Sequence, residues 1–267
     1  MKQILTIEFL KLRKLRSLQI IFLIYAVISP VAIYTISKFI TNFMTFFLPK
    51  DYSPFAFPDV WAVATYSASY FNILMGVLAV IIISNEYTYK TLRQHVIDGL
   101  SIKKAILGKF LVLLSFSLII TLYTFLTALL FGLVNTTTES TFMDGIGSIG
   151  LYFLQTMCYF SFAFFIAVLV KRTAVSITLF ILSFIAETII GISISLGGFQ
   201  TFYAFMPMNA FSKLTPFPIL KEMIAAGQER NGNVPVILDT PINIAVCLAY
   251  MLVFFLIAYF ILKKRDL

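Results

Sequence analysis

Six blocks of apolar sequence, each long enough to cross a bilayer as a helix, dominate this chain. They fall at about 18–37, 62–83, 110–134, 149–170, 174–196 and 242–262, and a crossing helix needs roughly 20 residues. Charged residues make up 12% of the chain, against about 25% in a soluble domain. In lipid the backbone must satisfy its own hydrogen bonds, and blocks this long and this continuously apolar do so as helices and not as alternating barrel strands. The sequence therefore predicts an all-α polytopic membrane protein with six transmembrane helices.

The net charge of +8 is a topology signal. Lys2, Lys11, Arg13, Lys14 and Arg16 precede the first block, and Lys90, Arg93, Lys103, Lys104 and Lys109 lie in or beside the loop after the second. Lys171 and Arg172 separate the fourth and fifth blocks, and Lys263, Lys264 and Arg265 follow the sixth. Six crossings put these fifteen on one side and leave Lys38, Lys50, Lys213, Lys221 and Arg230 on the other. The positive-inside rule then places both termini in the cytoplasm. With the basic residues so distributed, nucleic-acid binding has no support. The first block is too long for a signal-peptide core and ends at no small-residue cleavage site, so it is expected to stay as an anchor. Cys158 and Cys247 fall inside blocks and read as buried apolar residues, not as a disulfide or metal pair.

The chain divides into an interfacial helix (1–17), spans one and two (18–84), a cytoplasmic segment (85–105), spans three to five (106–196), an extracytoplasmic segment (197–240), and span six with its tail (241–267). Residues 1–17 are moderately amphipathic, with Ile4, Leu5, Phe9, Leu12 and Leu15 on one half. Pro30 predicts a kink in the first span, and Trp61 suits an interfacial anchor. The 197–240 segment is long for a structureless connection. A short re-entrant or surface helix is expected in "GGFQTFYAFMPMNAF", and a second near 219–226.

The cytoplasmic segment carries the most information. On a helix, Tyr89, Leu92, Val96 and Leu100 form an apolar stripe, while Lys90, Thr91, Arg93, Gln94, His95 and Asp98 cover most of the rest. Gly99 stands where a helix C-terminus takes a left-handed residue, and Ser101 where the next helix takes an N-cap. The reading is helix, tight elbow, new helix. Its residues "EYTYKTLRQHVIDGLSIKKAILGK" resemble the first cytoplasmic loop of type-2 ABC transporter permeases, through Glu86, Thr91, Leu92, Arg93, Gln94, Gly99, Leu100, Ser101, Lys103, Gly108 and Lys109 in order.

The resemblance implies a coupling helix that docks in a groove of a separate cytoplasmic ATP-binding subunit, with Glu86, Tyr89, Thr91, Leu92, Arg93, Gln94, Val96, Gly99, Ser101 and Lys103 as the coupling residues. It implies ATP and Mg on that partner and no cofactor on this chain. It also implies a second permease copy or a sister permease, a bacterial inner-membrane location, and export of an amphipathic or hydrophobic substrate. Glu86, at the membrane boundary, is expected to pair with a basic residue of the N-terminal helix. No G-x-x-x-x-G-K-[ST] occurs, and "GKF" at 108–110 lacks the upstream glycine and the hydroxyl residue, so the chain is not expected to hydrolyse ATP.

Glu187 is the acidic residue inside a span, about 20 Å deep in a core about 30 Å thick. A carboxylate there points to a substrate contact, a proton-linked group, a dimer-interface residue, or a hydrogen-bonded tie between helices. A membrane-embedded hydrolase is poorly supported, because the spans hold no paired carboxylates and no histidine. A secondary transporter would want more intramembrane polar groups and the paired broken helices of an internal repeat. A non-transporting ABC complex working on an extracytoplasmic partner stays open because of the long 197–240 segment.

Overall fold

The computed structural model describes residues 15–44, 52–89, 102–136, 142–220, 223–224 and 238–264. Among these residues the chain is helical throughout: α1 (Arg16–Phe43), α2 (Asp59–Ser69), α3 (Asn72–Thr88), α4 (Ile102–Asn135), α5 (Gly147–Val170), α6 (Thr173–Leu196), α7 (Gln200–Ala204), α8 (Pro207–Ser212) and α9 (Thr240–Lys264). Among the described residues five helices are each long and apolar enough to cross a membrane, and the bent pair α2–α3 counts as a sixth when its two pieces are taken as one broken span. The apolar blocks thus located every span, and the helices run a few residues beyond most of the predicted ends. α1 continues through Pro30.

The second span is not the single helix predicted for 62–83. It breaks after Ser69 and resumes at Asn72, with a bend of 47°. Backbone groups freed by such a break need partners, because lipid supplies none. Here the Phe71 N–H reaches the Ala68 carbonyl at 3.0 Å, and the Tyr152 hydroxyl donates to the same carbonyl at 3.4 Å.

α5 is the hub, packing against α2, α3, α4, α6, α8 and α9. Most of its side chains are buried, including Tyr152, Gln155, Phe160, Ala163, Phe164 and Ala167. α1, α6 and α9 lie outside it and turn Leu23, Val27, Ile185, Ile189, Leu252 and Leu256 outward. Outward apolar residues on three flanking helices are what a bilayer, acting as the solvent, permits.

Helices approach closely at two glycines. A β-carbon at Gly76 of α3 would lie 2.2 Å from the Phe180 ring of α6, and one at Gly191 of α6 would lie 2.0 Å from the Tyr203 ring of α7. The α5–α6 connection is only Lys171 and Arg172, with Lys171 left-handed at φ 63° as the C-cap.

Trp61 is fully buried rather than anchored at an interface. Its ring stacks on Phe125 at 5.3 Å and 9°, and its Nε1–H donates to the Phe142 carbonyl at 3.1 Å. The indole N–H that would otherwise seek the headgroup region is satisfied inside the protein, so the ring has no reason to face lipid.

Candidate functional site

The basic ends of the helices converge at one end of the bundle. There the C-terminus of α3, the N-terminus of α4 and the C-termini of α5 and α9 line a small cleft, walled by Ile83, Tyr87, Ile106, Phe164, Val168 and Leu262. Glu86 of α3 and Lys109 of α4 meet in it as an ion pair, both less than a tenth exposed. Lys109 is thus a basic partner that the described residues give Glu86; the expected pairing with the N-terminal helix falls on residues 1–14, which lie outside them. Sitting on either side of segment 90–101, the pair ties together the two helices from which that segment springs. Separating such charges is costly: removing one partner of a buried pair typically destabilises by about 3–5 kcal/mol.

Of the remaining residues expected to couple to an ATPase, Thr91, Leu92, Arg93, Gln94, Val96, Gly99 and Ser101 lie outside the described residues. Tyr89 closes α3 through an N–H···O bond to Asn85 at 2.9 Å and exposes its ring. Lys103 stands exposed in the first turn of α4. Lys171 lies 6.0 Å above the Tyr87 ring, so a cation covers the last turn of α3 from the α5–α6 turn.

A second polar cluster sits in the middle of the bundle, at the break in span two. Asn72 donates from Nδ2 to Gln155 Oε1 at 3.2 Å and accepts from the Thr156 hydroxyl at 3.1 Å. The hydroxyls of Tyr25 and Thr124 share a bond of 2.6 Å, and Tyr25 and Tyr152 one of 3.3 Å. Tyr25, Asn72, Thr124, Tyr152, Gln155 and Thr156 are all buried. Hydrogen bonds of this kind inside a membrane bundle contribute about 0.6 kcal/mol each on average, so their worth is chiefly in fixing geometry.

The third feature is the hairpin α7–α8. Its first piece matches the short helix expected in 197–211; of the second helix expected near 219–226, Ile219 lies in a turn, Leu220, Met223 and Ile224 are helical, and the rest lies outside the described residues. α8 has six residues and no cap of its own. Glu187 of α6 supplies one, accepting the Met208 N–H at 3.0 Å and the Asn209 N–H at 2.7 Å. At the other end, Asn243 of α9 donates to the Ala210 carbonyl at 3.1 Å, and Gln155 of α5 donates to the Phe211 carbonyl at 3.0 Å. The Tyr250 hydroxyl holds the Phe205 carbonyl at 2.9 Å.

Counted from the helix ends at 1.5 Å per residue, Gln155, Glu187 and Tyr250 lie about 12–15 Å inside their spans. The hairpin therefore dips between the spans as a re-entrant element. Glu187 serves here as a helix cap that ties α6 to α8, which is the hydrogen-bonded tie among its sequence-based readings.

Sequence reasoning overlooked Asn72, Gln155 and Asn243. The signal was present: amides inside otherwise apolar blocks are subject to the same burial argument that singled out the carboxylate. Cys158 and Cys247 are both free and buried, with the Cys158 thiol 3.7 Å from the Cys247 carbonyl. Among the described residues no group of three or more His, Cys, Asp or Glu side chains is placed to hold a metal.

Comparison with curated proteins finds no match. Comparison with protein families finds one described as ABC-2 family transporter protein, over residues 4–192. The matched region is more than two thirds of the chain. It contains α1 to most of α6, the 90–101 segment, the Glu86–Lys109 pair and Glu187, and it stops before the re-entrant hairpin and α9. With five to six apolar helices able to cross a membrane and this match over most of its length, the chain belongs to the ABC-2 transporter family and is a multi-pass membrane permease subunit of an ABC transporter.

Proposed function

We propose that this chain is the permease half of a bacterial ABC exporter. A separate cytoplasmic ATP-binding subunit docks on segment 85–105, binds ATP and Mg, and drives outward movement of an amphipathic or hydrophobic substrate. Both termini lie in the cytoplasm of an inner-membrane assembly completed by a second copy or a sister permease. The observation that carries the reading is the buried Glu86–Lys109 pair beneath an amphipathic, glycine-broken segment. A docked helix can move a bundle only if its two ends are fixed to the helices it must move. The ion pair supports that requirement on both sides of the segment, and charged residues such as Arg93 would set register with the partner.

The test is purification of the tagged chain from native membranes, with and without Arg93→Glu. The wild-type chain is expected to bring down an ABC ATP-binding subunit and to drive ATP-dependent uptake into inside-out vesicles. The variant is expected to lose the subunit, or to keep it with ATPase activity no longer linked to transport. Absence of an ATPase from the wild-type preparation overturns the reading, and so does unchanged coupling in Arg93→Glu. The alternative in which the complex works mechanically on an extracytoplasmic partner would show ATPase activity with that partner retained and no vesicle uptake.

A further inference from the structure

We propose that the Gln155 side chain is the joint through which movement of the coupling segment reaches the re-entrant hairpin. The proposal rests on the coupling reading above and adds a route across the membrane that the family match, ending at residue 192, does not reach.

The break divides span two into an outer half held in place by its own contacts and a second half that can act as a lever. α2 is fixed to its surroundings: Trp61 stacks on Phe125, its Nε1–H is held by the Phe142 carbonyl, and the Phe57 N–H is held by the Thr136 hydroxyl at 3.0 Å. α3 is a rod of 17 residues, about 25 Å long, with the coupling segment following its lower end. Because the chain bends by 47° between the two helices, α3 can tilt without carrying α2 along.

The upper end of the lever is Asn72, and its Nδ2 donates to Gln155 Oε1. The same amide holds the hairpin. Gln155 Nε2 donates to the Phe211 carbonyl in the last turn of α8, and Gln155 Oε1 also accepts from the Thr215 hydroxyl at 3.0 Å. One planar amide, fully buried, is bonded on one side to the lever and on the other to the re-entrant element. It has little freedom to absorb a displacement: its oxygen carries two donors and one N–H of its nitrogen is held by the Phe211 carbonyl, and lipid offers no replacement for a broken bond. A tilt of α3 must therefore either break this amide's bonds or shift α8. The Glu187 cap and the Asn243 bond join α8 to α6 and α9, so a shift of α8 is passed on to those two spans.

The experiment uses the assembled transporter in nanodiscs with two spin-label pairs placed on exposed positions. An inner pair at Thr88 and Lys263 reports the lever, and an outer pair at Phe202 and Leu133 reports the hairpin. In the unaltered protein both distance distributions are expected to shift between the nucleotide-free and ATP–vanadate states. In Gln155→Leu the inner shift is expected to persist while the outer shift is lost, with basal ATPase unchanged and transport per ATP reduced about tenfold, within the usual range of coupling between sites.

Asn72→Leu cuts the same link from the other side and must give the same split, which guards against a Gln155 variant that does not fold. An outer shift that survives in either folded variant overturns the proposal. So does an outer pair that never moves while the inner pair does. An inner pair that does not respond to nucleotide in the unaltered protein overturns the coupling reading itself, a separate and recognisable failure.

Discussion

The carboxylate of Glu187 and the backbone N–H of Asn209 meet at 2.7 Å although 22 residues separate them in the chain. Together with the bond to Met208 this contact replaces the N-cap that α8 lacks, and it explains how six residues hold a helix between membrane spans. Helix N-termini favour an anion, and buried N–H groups left unpaired cost about 1–3 kcal/mol each.

Glu187→Ala is therefore expected to destabilise the protein by about 3 kcal/mol, and Glu187→Gln, which keeps one acceptor oxygen, by about half as much. The two native cysteines, both buried, provide the reporter: a thiol-reactive dye follows their exposure as detergent-solubilised protein is heated. Melting temperatures should fall in the order wild type, Gln, Ala. Coincident melts for all three would show that the cap is not made.

At the opposite end of the bundle, Glu86→Gln and Lys109→Met should each cost about 3–5 kcal/mol, because each removes one member of a buried ion pair. Combining Glu86→Gln with Lys109→Met removes both charges and should recover part of that stability while weakening the tie between α3 and α4. A double-mutant cycle by the same melt measures the interaction, and strict additivity of the two single effects would rule out a coupled pair.

The buried indole makes a spectroscopic prediction, since Trp61 is the one tryptophan in the chain. Emission from the isolated subunit should be blue-shifted and insensitive to iodide. Trp61→Phe should keep the stacking on Phe125 but orphan the Phe142 carbonyl, at about 1 kcal/mol, whereas Trp61→Ala should cost about 3–5 kcal/mol. A red-shifted, iodide-quenched tryptophan would contradict the packing.

Gly76→Ala places a methyl against the Phe180 ring, where the structure leaves no room, and should cost about 1–3 kcal/mol by forcing α3 and α6 apart. Adding Phe180→Leu should restore part of the loss. If Gly76→Ala melts like wild type, α3 and α6 do not approach as described.

Much of the architecture was legible in the residues. Apolar blocks specify their helices because a bilayer leaves the backbone no other solution, and each of the six blocks became a span. What escaped were features set by neighbours remote in sequence. Trp61 looked like an interfacial anchor because its neighbours along the chain are loop prolines; Phe125 and Phe142, which enclose it, come from elsewhere. Span two looked continuous because Tyr70 and Phe71 are as apolar as helix residues, and the hydroxyl that stabilises the break belongs to Tyr152.

By itself, then, the sequence determined the class, the number of crossings and the side on which positive charge gathers, since these follow from residue hydropathy and charge alone. Only the tertiary structure decided what the buried polar groups do. A lone Glu187 in a span was equally compatible with a substrate contact and a structural tie, and an unremarked Gln155 carried no assignment at all. Hydrogen bonds are directional and short, so their meaning is fixed by which backbone N–H or carbonyl another helix brings within 3 Å. In this protein that helix is α8, folded back between the spans and held by all three of those it touches.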